Sequence, residues 1–118
     1  MKNLAPHIPR RRLVVEGIYQ GKVTCKSLKS YLSLLAEQLG MHVVYGPVVI
    51  RGAERLHPKY AGFEGHMIWA ESGVAIYTWE DGTFFSVDLY SCKEFNVREV
   101  LRFTRSFLNV KELVWKRV

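Results

Sequence analysis

The chain has 118 residues, of which 48% are hydrophobic, with a formal net charge of +6. That length suits one domain, taken as residues 1–118, and the composition supports a packed core and excludes wholesale disorder. The positive balance permits an anionic partner, but apart from Arg10-Arg11-Arg12 the Lys and Arg residues are scattered and no nucleic-acid motif is present, so a nucleic-acid partner is not expected.

In chain order, residues 1–11 read as a poorly ordered lead-in rich in proline and basic residues. Leu13 to Tyr19 is β-branched and aromatic, which predicts a strand. Gln20 to Thr24 reads as a turn. Ser27 to Leu39 carries Leu28, Leu32, Leu35, Ala36 and Leu39 at helical spacing, and Gly40 is placed to end that helix. Met41 to Tyr45 is a second strand, bent or interrupted by Gly46-Pro47, with Val48 to Ile50 as its continuation. Gly52 to Gly62 reads as a loop. Phe63 to Ala70, Val74 to Trp79 and Thr83 to Ser91 read as three strands, joined by the turns Glu71-Ser72-Gly73 and Glu80-Asp81-Gly82. Asn96 and Glu99 form a capping pattern that opens a helix to about Leu108. Leu113 to Trp115 is a last strand. The expected fold is therefore α+β, in the order β-α-β-β-β-β-α-β. It is a two-layer sandwich of an antiparallel sheet with two helices on one face.

No apolar run approaches the roughly 20 residues of a bilayer-spanning helix, so no membrane association is expected. Residues 1–7 lack the apolar stretch of a secretory signal, and the expected location is cytoplasmic. Cys25 and Cys92 form no CxxC pair and match no zinc spacing. They are expected to be free thiols, with no metal site.

The informative residues are Ala70-Glu71-Ser72-Gly73-Val74-Ala75-Ile76-Tyr77-Thr78-Trp79-Glu80 and Val87-Asp88-Leu89-Tyr90-Ser91-Cys92. Taken alone, Glu71-Ser72-Gly73 is an ordinary hairpin turn, Cys92 a small core residue and Tyr77 and Trp79 sheet aromatics. Together they resemble the S-adenosylmethionine decarboxylase family. There a Glu-Ser pair opens a strand ending in His-Thr-Trp, followed about fifteen residues later by a Val-Asp-(apolar)-(aromatic)-(Thr/Ser)-Cys run. Val14 to Tyr19 also resembles the family's first strand. The resemblance spans residues 13 to 108.

The resemblance implies a pyruvoyl-dependent decarboxylase of polyamine (spermidine) biosynthesis, made as a proenzyme and cut between Glu71 and Ser72. Ser72 would attack the carbonyl of Glu71 to form an ester. Elimination and hydrolysis would then leave a pyruvoyl cofactor at position 72, separating residues 1–71 from 72–118. Such a ketone condenses with a substrate amine, and the imine delocalises the carbanion left by decarboxylation. Cys92 is the candidate proton donor to that carbon. Glu71, Tyr77 and Glu64 are candidate acid–base groups. Glu16, Glu71, Tyr60 and Phe63 are candidates for contacting the substrate, which would be cationic: S-adenosylmethionine, or a basic amino acid. A homodimer is implied as well.

Three positions depart from the family pattern. Tyr77 stands where the family has its histidine, and a phenol titrates near 10 where an imidazole titrates near 6.5. Glu64 stands for a serine that assists ester formation. Pro58 stands for an aromatic residue that stacks on adenine, leaving Tyr60 or Phe63 as substitutes. These departures raise two alternatives: a related arginine or ornithine decarboxylase, or an unprocessed, non-catalytic paralogue acting as a partner or regulatory subunit.

Overall fold

A computed structural model describes all 118 residues. The elements are β1 (Arg11–Tyr19), α1 (Cys25–Gln38), β2 (Val43–Ile50), β3 (Glu64–Trp69), β4 (Ser72–Trp79), β5 (Phe84–Ser91), α2 (Val97–Phe107) and β6 (Val110–Arg117). The strands form one antiparallel sheet in the order β2-β3-β4-β5-β1-β6. The element order and the α+β class are those expected from the sequence.

Boundaries differ, each for a local reason. β1 begins at Arg11 rather than Leu13, because Arg11 pairs with Ser91 across β5. α1 begins at Cys25 because Thr24 is its N-cap. The Ser27 N–H donates to Thr24 Oγ1 (3.0 Å), and the Thr24 N–H donates to Ser27 Oγ (2.9 Å). Serine takes the place that glutamate usually holds in this reciprocal cap. β2 runs through Gly46-Pro47, and the irregularity there is absorbed as shifts of register against β3. The predicted loop at 52–62 holds two short 3-10 turns, Ala53–Arg55 and Pro58–Tyr60. β6 is much longer than Leu113 to Trp115 because it pairs along β1 from Leu13 to Tyr19. The turn between β3 and β4 is tighter than expected: Ser72 is already in the ladder, opposite Trp69, so only Ala70 and Glu71 remain outside.

Alternation along the strands decides which face is covered. Leu13, Val15, Tyr19, Met67, Trp69, Val74, Ile76, Phe85, Val87 and Leu89 are buried under the helices. They meet Leu28, Tyr31, Leu32, Leu35 and Ala36 of α1 and Val100 and Leu108 of the α2 segment. Each buried Leu, Ile or Phe side chain stabilises the fold by about 1.5–3 kcal/mol. The two helices are joined by a buried hydrogen bond between Tyr31 Oη and Thr104 Oγ1 (2.8 Å), and burial pushes the Tyr31 phenol well up from its ordinary pKa. The opposite face carries no helix. It presents Arg12, Glu16, Glu64, His66, Ile68, Tyr77, Asp88 and Tyr90. No helix is long and apolar enough to cross a membrane.

Candidate functional site

Ser72 stands at the first position of β4, immediately after a turn that forces Glu71 to φ 56°. A residue with a Cβ pays for that left-handed conformation with about 1–2 kcal/mol of strain. The chain therefore holds a strained residue directly before its candidate serine. Replacing Glu71 by glycine removes the Cβ conflict, and that variant is expected to gain about 1 kcal/mol in urea melts. An unchanged midpoint would mean that the turn is unstrained.

The hydroxyl of Ser72 sits in a small polar shell. Its oxygen accepts the N–H of Cys92 (3.3 Å) and lies 3.2 Å from Ser91 Oγ and 3.8 Å from Cys92 Sγ. Ser91 is fully buried and is fixed by the N–H of Lys93 (3.0 Å). The Cys92 thiol donates a hydrogen bond to Glu71 Oε2 (3.4 Å). Register explains the convergence. β4 and β5 are antiparallel neighbours with Gly73 opposite Tyr90, so the start of β4 meets the end of β5. An open cleft of about 690 Å³ faces this cluster, lined by Ile8, Glu71, Ser72, Gly73, Tyr90 and Cys92.

The other candidates lie elsewhere. Glu16, Ser86, Tyr77 and Glu64 stand opposite one another on four successive strands and form one transverse row across the uncovered face. Ser86 Oγ donates to Glu16 Oε2 (3.1 Å) within that row. Tyr77 is five residues along β4 from Ser72, about 17 Å at strand rise, and belongs to the opposite face by alternation. Phe63 and Tyr60 are at that far end too. The Phe63 N–H donates to Thr78 Oγ1 (2.9 Å), its ring lies beneath Arg51, and Tyr60 is exposed in its 3-10 turn beside His57. Pro58 opens the same turn. The structure thus gathers Ser72, Glu71 and Cys92 at one strand end, and sets Glu16, Tyr77 and Glu64 in a second group remote from it within the chain.

The sequence did not single out Ser91, which contacts the Ser72 hydroxyl, or Tyr90, Gly73 and Ile8, which line the cleft. Ser91, Tyr90 and Gly73 stood in the residues already quoted, but only the β4–β5 register shows that they come together at the Ser72 end of β4. Nothing in the sequence pointed to Ile8, which comes from the turn at Ala5–Ile8 ahead of β1.

The surroundings fit a carbonyl group derived from Ser72. Its hydroxyl is oriented by a backbone N–H, the preceding residue is strained, a thiol is within 4 Å, and the cleft leaves room for a substrate.

Known proteins share this sequence pattern and this fold. The family model described as S-adenosylmethionine decarboxylase matches residues 23–118. The S-adenosylmethionine decarboxylase proenzyme of Clostridium botulinum strain Hall is 26% identical over 72 residues, and that of strain Loch Maree 25%. Each match covers 60% of this chain and 60% of the relative, so the chain aligns with less than two thirds of those proteins. The adenosylmethionine decarboxylase of Aquifex aeolicus has the same fold, with a TM-score of 0.72 at 14% identity, covering 94% of this chain and 89% of that one. By its sequence across residues 23–118, the chain belongs to the S-adenosylmethionine decarboxylase family.

Proposed function

We propose that the chain is an S-adenosylmethionine decarboxylase-like enzyme of polyamine (spermidine) biosynthesis that cuts itself between Glu71 and Ser72 to make its own pyruvoyl cofactor. The observation that carries this reading is the Ser72 hydroxyl, held by the Cys92 N–H immediately after the strained Glu71. Ser72 Oγ attacks the Glu71 carbonyl carbon. The Glu71–Ser72 amide bond breaks, an ester forms, and the serine nitrogen takes up the hydroxyl proton. Loss of the Ser72 Cα proton then breaks the ester C–O bond. Glu71 is released as a new carboxylate, and water displaces ammonia from position 72. A pyruvoyl group supplies an electron sink for a carbanion formed by loss of CO2. Cys92 holds a proton at Sγ beside that position, and the Glu71 carboxylate orients the thiol.

Tyr77 and Glu64 act on Ser72 only from a second copy of the chain. A homodimer in which two uncovered sheet faces meet would place the Glu16–Ser86–Tyr77–Glu64 row of one copy against the cleft of the other. The exposed Tyr45, Ile50, Ile68 and Tyr77 on that side favour such burial. The acidic groups Glu16, Glu64 and Asp88 on the same face suit a cationic substrate. S-adenosylmethionine is the first choice. A basic amino acid such as arginine or ornithine is the second, because Pro58 offers no aromatic platform. A cytoplasmic location goes with this reading.

A second reading is an unprocessed partner or regulatory subunit, favoured by Tyr77 and Glu64 in place of histidine and serine. The intact mass of incubated protein separates the two. Two fragments, 1–71 and 72–118, with an adduct trapped by borohydride and a substrate amine, support the enzyme. A single 13.7 kDa species that traps nothing supports the subunit.

A further inference from the structure

A second cavity adjoins the Ser72 cleft on the uncovered face of the sheet. It measures about 490 Å³ and is mostly apolar, with Arg12, His66, Asp88 and Tyr90 as its charged or titratable side chains. Gly73 and Tyr90 line both spaces, so the two are neighbours at the start of β4. Arg12, Tyr90 and Gly73 are opposite one another on β1, β5 and β4 and form a single row.

Arg12 is unlike its neighbours. Arg10 is bonded to Asn3, and Arg11 is paired with Glu94. The four ion pairs of the structure involve Arg11, Arg51 and Arg117, and none includes Arg12. Its guanidinium lies instead over the ring of Tyr90, 4.8 Å from the centroid. Stacking fixes the plane of the group and leaves its N–H edge free. Two inter-strand steps, about 10 Å, separate the Arg12 and Gly73 backbones, and the side chain has already crossed half of that distance to reach the β5 ring. Gly73 offers no side chain on this face, so nothing stands between the guanidinium and the residue next to Ser72. Asp88, also without an ion pair, lines the same cavity one step farther along β5.

We infer that Arg12 is the carboxylate anchor of the site, binding the α-carboxylate of an amino-acid substrate whose positive group faces Asp88. The inference rests on the decarboxylase reading of the Ser72 cleft and deepens it by assigning the group that distinguishes acid from product. A planar guanidinium offers a carboxylate two parallel N–H donors. The anchor acts on the ground state, because its partner departs as CO2. Losing it should therefore weaken binding without slowing the chemical step.

The test uses Ser72→Ala protein, which keeps the cleft but cannot cleave. Titration calorimetry compares each acid with its amine: S-adenosylmethionine with its decarboxylated amine, and arginine with agmatine. Adding Arg12→Met should lower affinity for the acid about tenfold to a hundredfold and leave the amine unchanged. Arg12→Lys should recover part of the loss. Equal loss for acid and amine, no loss for either, or a Ser72→Ala parent that binds neither acid overturns the inference. In processed protein, Arg12→Met should raise KM without lowering kcat. Because calorimetry needs no cleavage, failure of the anchor and failure of self-processing are separately visible.

Discussion

Protein carrying Tyr77→His together with Glu64→Ser is expected to cut itself about 10²–10⁴ times faster than the natural chain, the range a positioned acid–base group contributes. An imidazole gives and takes a proton near neutral pH, and a serine hydroxyl can donate to a developing oxyanion where an ionised carboxylate cannot. Tyr77 and Glu64 face one another across β3 and β4, so the two changes act at one place. A time course on a denaturing gel reads the rate as fragments 1–71 and 72–118. The remoteness of this pair from Ser72 within one chain gives a sharper form of the experiment. A chain with Tyr77→His, Glu64→Ser and Ser72→Ala cannot cut itself, yet it should accelerate cleavage of natural chains mixed with it. Acceleration confined to the double variant alone would place the pair's action within a single chain and defeat the face-to-face dimer.

The largest stability effect is expected at Trp69. Its side chain is 1% exposed, lies behind Ser72 in the β3–β4 ladder, and is among the largest in the core. Trp69→Ala should cost about 3–5 kcal/mol. Against the 5–15 kcal/mol that separates a folded domain of this size from its unfolded chain, that is a large fraction. Trp69→Phe should cost far less. The indole N–H is buried with no protein acceptor in reach, so phenylalanine deletes an unsatisfied donor as it removes bulk. Urea denaturation of the two variants checks both values. Equal losses would show that the indole N–H contributes to stability.

Much of the architecture was legible in the sequence because it is written in local periods. The leucines of α1 recur at three and four, and the alternation of Phe85, Val87 and Leu89 marks a strand with one buried face. Element ends were less legible, since they depend on what lies opposite. Arg11 joins β1 because Ser91 is there to pair with it, and β6 extends along all of β1 for the same reason. The candidate site divides in the same way. Glu71, Ser72 and Cys92 could be named from the motif, and they do converge. Tyr77 is as close to Ser72 in sequence as Cys92 is distant, yet the strand carries it away while the β4–β5 pairing brings Cys92 back. Neighbourhood along an extended chain is distance in space. Tyr90 and Gly73 needed the β4–β5 register before they could be placed at the cleft, and Ile8 enters it from a turn that no strand pairing reveals.

The strand order has a consequence for what a cut at Ser72 would do. Residues 1–71 supply β1, β2 and β3, and residues 72–118 supply β4, β5 and β6. In the sheet, β1 is clasped between β5 and β6, while β4 and β5 are wedged between β3 and β1. The two pieces are therefore dovetailed and would stay together after the bond is gone. Native gels and gel filtration would report an unbroken particle, and only unfolding would reveal the break. Neither piece contains a complete set of partners for its own strands, so a cut there would have to follow folding.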